Sequence, residues 1–125
     1  LDKCCLRVDL SSDLLITYFY WGVEEVPEGL TAADAIPKSE AVTQAQDFFD
    51  ALGEGVKIRE SDMVKYNDSM ERVPGDLFGA TWLVARIEGV DTGNVQVAFK
   101  FEVSAYSGRV EAYSRNPEWV PGKQE

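Results

Sequence analysis

Alternating apolar and polar positions predict two strands at the start of the chain. Leu6, Val8 and Leu10 alternate with charged residues, which is the period of a half-buried strand. A turn signal, Ser-Ser-Asp, follows at positions 11–13. Positions 14–21 are then apolar or aromatic on both faces, so we expect a second strand that is covered on both sides.

The strongest alternation lies in the second half of the chain. Five apolar side chains occupy every second position there: Val95, Val97, Phe99, Phe101 and Val103. This period predicts a strand with one apolar face. Weaker signals predict strands at 56–60 with a continuation at 63–66, at 81–88 and at 110–113. Gly108, before the last of these, supplies the positive φ that a tight hairpin turn requires.

One amphipathic helix is predicted from Ser39 to Leu52. Ser39 is a suitable N-cap, and Gly53 supplies the stop. Apolar residues at helical spacing form one stripe along it: Ala41, Ala45, Phe48, Phe49 and Leu52. Helix and strands are segregated along the chain, which predicts an α+β fold with one main helix packed on an antiparallel sheet. The 95–103 strand is the expected partner of the stripe.

The length of the chain, 125 residues, fits a single domain. We divide it into N-terminal strands with a connector (1–38), the helix with the strands that follow it (39–119) and a tail (120–125). No stretch reaches the ~18–20 apolar residues of a membrane helix, and no signal peptide is visible. The chain opens with Leu-Asp-Lys, so we expect a processed form or an excised domain.

The charge balance restricts the classes of partner. There are 12 basic and 22 acidic residues, and the net charge is −10. Nucleic acid is disfavoured because phosphate binding needs a basic surface, and an anionic membrane surface is disfavoured for the same reason. A basic protein or peptide is an electrostatically easier partner, although solubility alone also accounts for the charge.

Residue types that carry out catalysis are sparse. Histidine is absent, which removes the commonest general base and the usual nucleophilic triads. No glycine-rich phosphate loop or EF-hand spacing is present. The two cysteines are neighbours, Cys4 and Cys5, and one such pair does not complete a zinc site. The sequence therefore predicts a non-enzymatic protein with no cofactor and no metal, and it leaves open whether the thiols are free or bridged.

Aromatic side chains are the leading candidates for a binding surface. Tyr18, Phe19, Tyr20 and Trp21 are consecutive, so they cannot all face one core. If their strand lies at an edge, one alternating pair is exposed, and exposed aromatics are typical of contact surfaces. A central strand buried on both faces is the alternative. The candidate binding residues are Tyr18, Tyr20, Trp21 and, in a later strand, Trp82.

The helix "SEAVTQAQDFFDAL" precedes the strand "WLVARI", and the hairpin "VSAYSGRVEAY" comes after them. This order resembles the PepSY family, including its YcdB-like relatives, and the hairpin is similar to the "V-Da-tG-eV" pattern of the family's last hairpin. Ser104 stands where the family has aspartate, and Ser107-Gly108 stands for its Thr-Gly. Trp119 is similar to the tryptophan that follows the last strand in YcdB-like chains. The resemblance covers Ser39 to Trp119.

The resemblance implies a PepSY- or cystatin-like fold and a non-catalytic, extracytoplasmic or secreted module that regulates a peptidase or forms part of a larger envelope protein. We therefore expect a domain that binds a protein or peptide, with an exposed strand edge as the docking point and basic segments favoured by the acidic surface. Two other classes stay open. One is a cystatin-like fold with a small-molecule pocket or an enzymatic role. The other is a structural subunit that assembles through the cysteine pair and the aromatic strand.

Overall fold

The described part of the chain forms one α-helix and six β-strands. The computed structural model describes residues 6–21, 26–67, 77, 79–91 and 94–120, so Cys4 and Cys5 lie outside the described residues. The elements are β1 (Leu6–Leu10), β2 (Ile16–Trp21), α1 (Lys38–Leu52), β3 (Met63–Asn67), β4 (Thr81–Asp91), β5 (Asn94–Ser104) and β6 (Val110–Arg115). A short 3₁₀ turn at Ala32–Asp34 is closed by a capping box between Thr31 and Asp34.

The described strands form one antiparallel sheet in the order β1-β2-β6-β5-β4-β3. Few residues separate β1 from β2, β4 from β5 and β5 from β6 along the chain, whereas β2 pairs with β6 from the far end of the chain, Phe19 lying opposite Tyr113. α1 packs mainly on β3, β4, β5 and β6 and reaches β2 through Phe48 and Phe19. The two edges of the described sheet are therefore β1 and β3, and β1 lies beyond the strands that α1 contacts.

The core lies between α1 and one face of the sheet. Phe49 is fully buried in α1, and its ring meets the rings of Phe99 and Phe101 edge-on, with centroids 4.7 and 4.9 Å apart. Ala41 and Ala45 are buried on the same stripe, and their small side chains let the helix lie close to the sheet. The predicted α+β class, with one main helix on an antiparallel sheet, is confirmed.

The predicted start of the helix is wrong by one residue. The N-cap is Pro37, whose extended backbone (φ −73°, ψ 159°) leads into α1, and no side chain caps the first turn. The Pro37 carbonyl accepts hydrogen bonds from the amides of Glu40 and Ala41 instead. Ser39 therefore lies inside the first turn. The predicted stop is confirmed, because Gly53 has the left-handed φ of 74° that ends a helix.

The strand predicted at 56–60 is wrong because side chains take the hydrogen bonds that a neighbouring strand would need. The amide of Gln46 on α1 donates to the Val56 carbonyl at 2.8 Å and accepts from the Ile58 amide at 2.8 Å. Asp62 Oδ2 accepts from the Arg59 amide at 2.7 Å. The segment is therefore pinned to the helix, and the strand β3 begins only at Met63.

The turn between β5 and β6 has the predicted glycine geometry. Gly108 has φ 83°, which a residue with a side chain adopts only at a cost. Ser104 Oγ accepts hydrogen bonds from the amides of Tyr106 and Ser107 at 3.1 and 3.2 Å. Serine and aspartate both form such local bonds, so the hairpin does not need the aspartate of the PepSY pattern.

Two predicted burial patterns are wrong. β2 is an interior strand, yet Tyr20 and Trp21 remain exposed. Val97 was expected on the buried face of β5, yet it is exposed, whereas its neighbour Ala98 is buried. The register of the β4–β5 pair shifts between Arg86 and Gly89, opposite Val97. Such an irregularity changes the face of the sheet to which the following side chains point.

Two arginines are buried in the helix-side face of the sheet. The side chains of Arg86 and Asp62 are only 1% and 2% exposed, and Arg86 Nε and Nη2 lie 2.9 and 3.0 Å from the two carboxylate oxygens. Arg115 Nη2 lies 2.9 Å from Glu54 Oε1. The Trp119 ring has Arg86 5.8 Å and Arg115 5.1 Å from its centroid, so the segment after β6 is attached to the core.

Candidate binding surface

The structure does not bring the four sequence-predicted binding residues together. Tyr18 and Tyr20 lie on the face of the sheet opposite α1, where they border a shallow depression of about 210 Å³ with Lys100, Glu102 and Ser114. The Arg7 guanidinium lies 5.2 Å from the centroid of the Tyr18 ring.

Trp21 lies on the other face, the one that carries α1, because side chains alternate along β2 and Phe19 packs on Phe48 of the helix. The Arg109 guanidinium stacks on Trp21 with 4.6 Å to the ring centroid, and Arg109 Nη2 donates to the Trp21 carbonyl at 3.2 Å. Half of the side chain, 49%, stays exposed. Trp21 is therefore held in place and still available for contact.

Trp82 has a structural role. Its indole Nε1 donates to the Ile36 carbonyl at 3.0 Å. Its ring meets Tyr66 edge-on with centroids 5.4 Å apart. Trp82 also packs against the core under α1 and against a second group of buried residues, Leu77, Ala80 and Ala105. Trp82 thus fixes the connector before α1 to β4, two strands away from β6 and four from β1.

An exposed apolar surface continues from Trp21 onto β1. Leu6 lies opposite Trp21 and Val8 lies opposite Phe19, so the alternate residues of β1 share the helix-side face. Leu6, Val8 and Leu10 are 62%, 43% and 56% exposed. We call the four side chains of Leu6, Val8, Leu10 and Trp21 the apolar shelf. Isolated exposed apolar residues are ordinary, whereas a contiguous group marks a contact surface.

One side of α1 faces the apolar shelf. Phe48 lies on that side, because it contacts Phe19 of β2. Gln44 and Glu40 continue it at four-residue spacing, and both lie within 3.5 Å of the position that a Cβ at Gly108 would take. Asp47 follows Glu40 after two helical turns. Glu40 and Asp47 are exposed, and we call them the acidic wall.

Sequence analysis missed the shelf because it assigned Leu6, Val8 and Leu10 to a buried face. The alternation was present, but it does not say whether the apolar face of a strand is covered. Strand order decides this, and the β2–β6 pairing that makes β1 an edge joins distant parts of the chain. Trp21 was among the predicted binding residues because four consecutive aromatics cannot all face one core.

One buried titratable group, Tyr113, has a shifted pKa. Burial raises the pKa of the Tyr113 phenol above its ordinary value, the carboxylate of Glu54 raises that pKa further, and Arg115 opposes both effects. Tyr113 Oη has no hydrogen-bond partner among the described residues. Within the same residues, no group of three or more His, Cys, Asp or Glu side chains could hold a metal ion, and no helix is long and apolar enough to cross a membrane.

Comparison with known proteins gives no match: no family model, no curated protein and no solved structure is similar to this chain. The resemblance to the PepSY family therefore stays a prediction. The apolar shelf, the acidic wall and the exposed edge of β1 are the features from which function is to be argued.

Proposed function

We propose that this chain is a non-catalytic module that binds a basic, amphipathic segment of a protein or peptide on the apolar shelf. The observation that carries the proposal is the contiguity of Leu6, Val8, Leu10 and Trp21, all exposed on one face beside a helix. A segment with alternating apolar and basic residues would place the apolar ones on this shelf.

The acidic wall gives the proposal its preference for basic partners. Glu40 and Asp47 stand on the side of α1 next to the shelf, and the chain as a whole carries a net charge of −10. Such a field steers cations and suppresses acidic competitors more than it adds affinity. Arg109 stacks on Trp21 and lies 3.7 Å from the carboxylate of Glu111, so this cation has an acidic neighbour.

The affinity expected from the shelf is modest. Burying a whole Leu or Val side chain is worth about 1.5–3 kcal/mol, and each shelf residue has roughly half of that left to gain. Four such contributions amount to a gross gain of about 3–6 kcal/mol, against which the cost of association must be set. Even the full gross gain corresponds to a dissociation constant of only about 40 μM, so after the cost of association we expect a dissociation constant of roughly 1 mM or weaker, as suits a module that acts within a larger assembly. The PepSY resemblance supports the same class, a domain that regulates a peptidase or serves a larger envelope protein.

The test is a titration with a labelled peptide of alternating leucine and lysine, about nine residues long, followed by fluorescence anisotropy. Val8→Thr should weaken its binding, whereas Val97→Thr should not. The two valines have similar exposures, 43% and 39%, but Val97 lies outside the shelf. A peptide in which glutamate replaces lysine should bind at least tenfold more weakly.

A second pair of variants separates the acidic wall from net charge. Asp47→Asn and Asp50→Asn remove the same charge from the same helix, but Asp50 lies on the side of Gln46, which turns toward the 56–58 segment. Asp47→Asn alone should weaken the lysine peptide. If the two variants bind equally well, or if Val97→Thr weakens binding as much as Val8→Thr, the shelf is not the binding site.

A further inference from the structure

The outer edge of β1 has no neighbouring strand among the described residues. In the sheet that these residues form, β1 pairs with β2 alone, so the backbone groups on its other side can pair with a further strand. The register of the β1–β2 pair shifts once, where Asp9 lies opposite Tyr18 and Leu10 opposite Ile16. The extra residue is Thr17 of β2. β1 itself therefore runs from Leu6 to Leu10 without a bulge that would prevent pairing.

The side chains of this edge are arranged symmetrically about Val8. The sequence Leu6-Arg7-Val8-Asp9-Leu10 reads apolar, positive, apolar, negative, apolar. In an antiparallel pair with a two-fold axis at Val8, each residue n faces residue 16 − n of the other strand. We propose that β1 pairs in this way with β1 of a second copy of the chain, which joins two sheets edge to edge.

The pairing places opposite charges directly across from each other. Arg7 of each copy faces Asp9 of the other, and Leu6 faces Leu10. Opposite-charge and apolar cross-strand pairs both stabilise a sheet. Within one chain Arg7 already donates to the Asp9 carboxylate, with Nε–Oδ1 and Nη2–Oδ2 distances of 3.2 and 3.1 Å. In the dimer the two Arg7–Asp9 pairs form one cluster of four alternating charges with no net charge. The β1 strand of a second copy therefore complements the charges of this edge, whereas a purely basic strand would place a positive charge opposite Arg7.

The other edge of the sheet lacks this complementarity. β3 runs from Met63 to Asn67 with Lys65 at its centre. A two-fold pair about Lys65 would oppose two like charges, which is a common way of keeping an edge strand from pairing. The contrast between Lys65 and the Arg7–Asp9 pattern points to β1 as the edge that accepts a copy.

The inference is independent of the proposed function. It uses the backbone edge of β1 and the side chains of Arg7 and Asp9, which share the face of Tyr18 and Tyr20. On the opposite face Leu6 and Leu10 of the apolar shelf meet across the two strands, and the charge variants leave them unchanged. Pairing would bring two shelves side by side and leave both open from the helix side. Because five residues per copy make a small interface, we expect a weak dimer with a micromolar dissociation constant.

The experiment is sedimentation equilibrium of the whole chain, in reductant so that Cys4 and Cys5 form no bridges. We expect the wild-type chain to be a reversible dimer. Arg7→Asp and Asp9→Arg each replace two attractive pairs with two repulsive ones, so each should weaken the dimer at least tenfold. The double variant Arg7→Asp/Asp9→Arg restores the complementarity with the signs exchanged and should dimerise again.

The decisive sample is a mixture of the two single variants. Their β1 strands complement each other, so the mixture should form a heterodimer although neither variant associates alone. The circular dichroism of each variant, together with its binding of the lysine–leucine peptide, shows whether its domain is intact. A wild-type chain that is monomeric at about 200 μM, above the dissociation constant expected for so small an interface, overturns the inference. A mixture that stays monomeric also overturns it, and neither result affects the shelf.

Discussion

Replacing Asp62 with asparagine should destabilise the domain severely, because it removes the carboxylate that pairs with the buried Arg86 guanidinium. The two side chains are 2% and 1% exposed and are joined by two hydrogen bonds of 2.9 and 3.0 Å. Removing one partner of such a pair costs about 3–5 kcal/mol. Asparagine keeps one oxygen acceptor, so we expect the lower limit, about 3 kcal/mol.

Urea unfolding measures this cost. With a slope of about 1.5 kcal/mol/M for a domain of this size, a loss of about 3 kcal/mol lowers the midpoint by about 2 M. The matched control is Glu102→Gln. Glu102 lies 3.9 Å from Lys100, and these side chains are 41% and 45% exposed, so the same chemical change should cost less than about 1 kcal/mol.

A second substitution identifies the cause. If Asp62→Asn destabilises the domain through the buried charge of Arg86, adding Arg86→Met should recover part of the loss. Recovery should be incomplete, because Arg86 Nη2 also donates to the Lys57 carbonyl at 2.7 Å and Asp62 also accepts from the Arg59 amide. The reasoning is refuted if Asp62→Asn costs no more than Glu102→Gln, or if Arg86→Met adds its full separate cost in the Asp62→Asn background.

Two further predictions concern backbone strain and a buried phenol. Leu14 has φ 66° and is 76% exposed, so Leu14→Gly should raise the free energy of unfolding by about 0.5–1 kcal/mol. Asp13 lies in the same turn with a negative φ, so Asp13→Gly should bring no such gain. If both variants are more stable than the wild-type chain, relief of backbone strain is not the explanation. Because the pKa of Tyr113 is raised in the folded state, the folded chain resists losing that proton, so stability that is present below pH ~10 falls by up to about 1.4 kcal/mol per pH unit above it. Tyr113→Phe should remove this part of the alkaline loss in urea titrations, and an unchanged pH dependence would show that the phenol ionises equally in both states.

Helices and strands that follow from the local spacing of apolar residues could be predicted from the sequence. Segments whose structure depends on residues distant in the chain could not. The helix 38–52 and the strand 94–104 follow from the spacing of their apolar residues and end at glycine or turn signals. The 56–60 segment has a strand-like alternation as well. Its hydrogen bonds go to Gln46 and Asp62, however, and a sequence pattern does not reveal that side chains will compete for the backbone.

Only one member of the buried Arg86–Asp62 pair could be recognised from the sequence. Trp82, Val84 and Arg86 alternate on one face of β4, so a charged residue falls in a row of apolar ones. Such a position calls for a buried partner, because an unpaired charge in the core is prohibitively costly. Asp62 could not be selected as that partner from 22 acidic residues, because it lies in an irregular segment.

The same dependence on distant partners explains why the apolar shelf exists at all. Six strands span five spacings, about 24 Å, whereas a helix is only about 10–12 Å across. One helix cannot cover such a sheet, and among the described strands α1 reaches from β3 to β2, where Phe48 meets Phe19, but not to β1. At the β3 edge the segment after the helix fills the gap, since Val56 is buried and Ile58 packs on the core. At the β1 edge no described segment does so. The partner that we propose for the apolar shelf would cover this face.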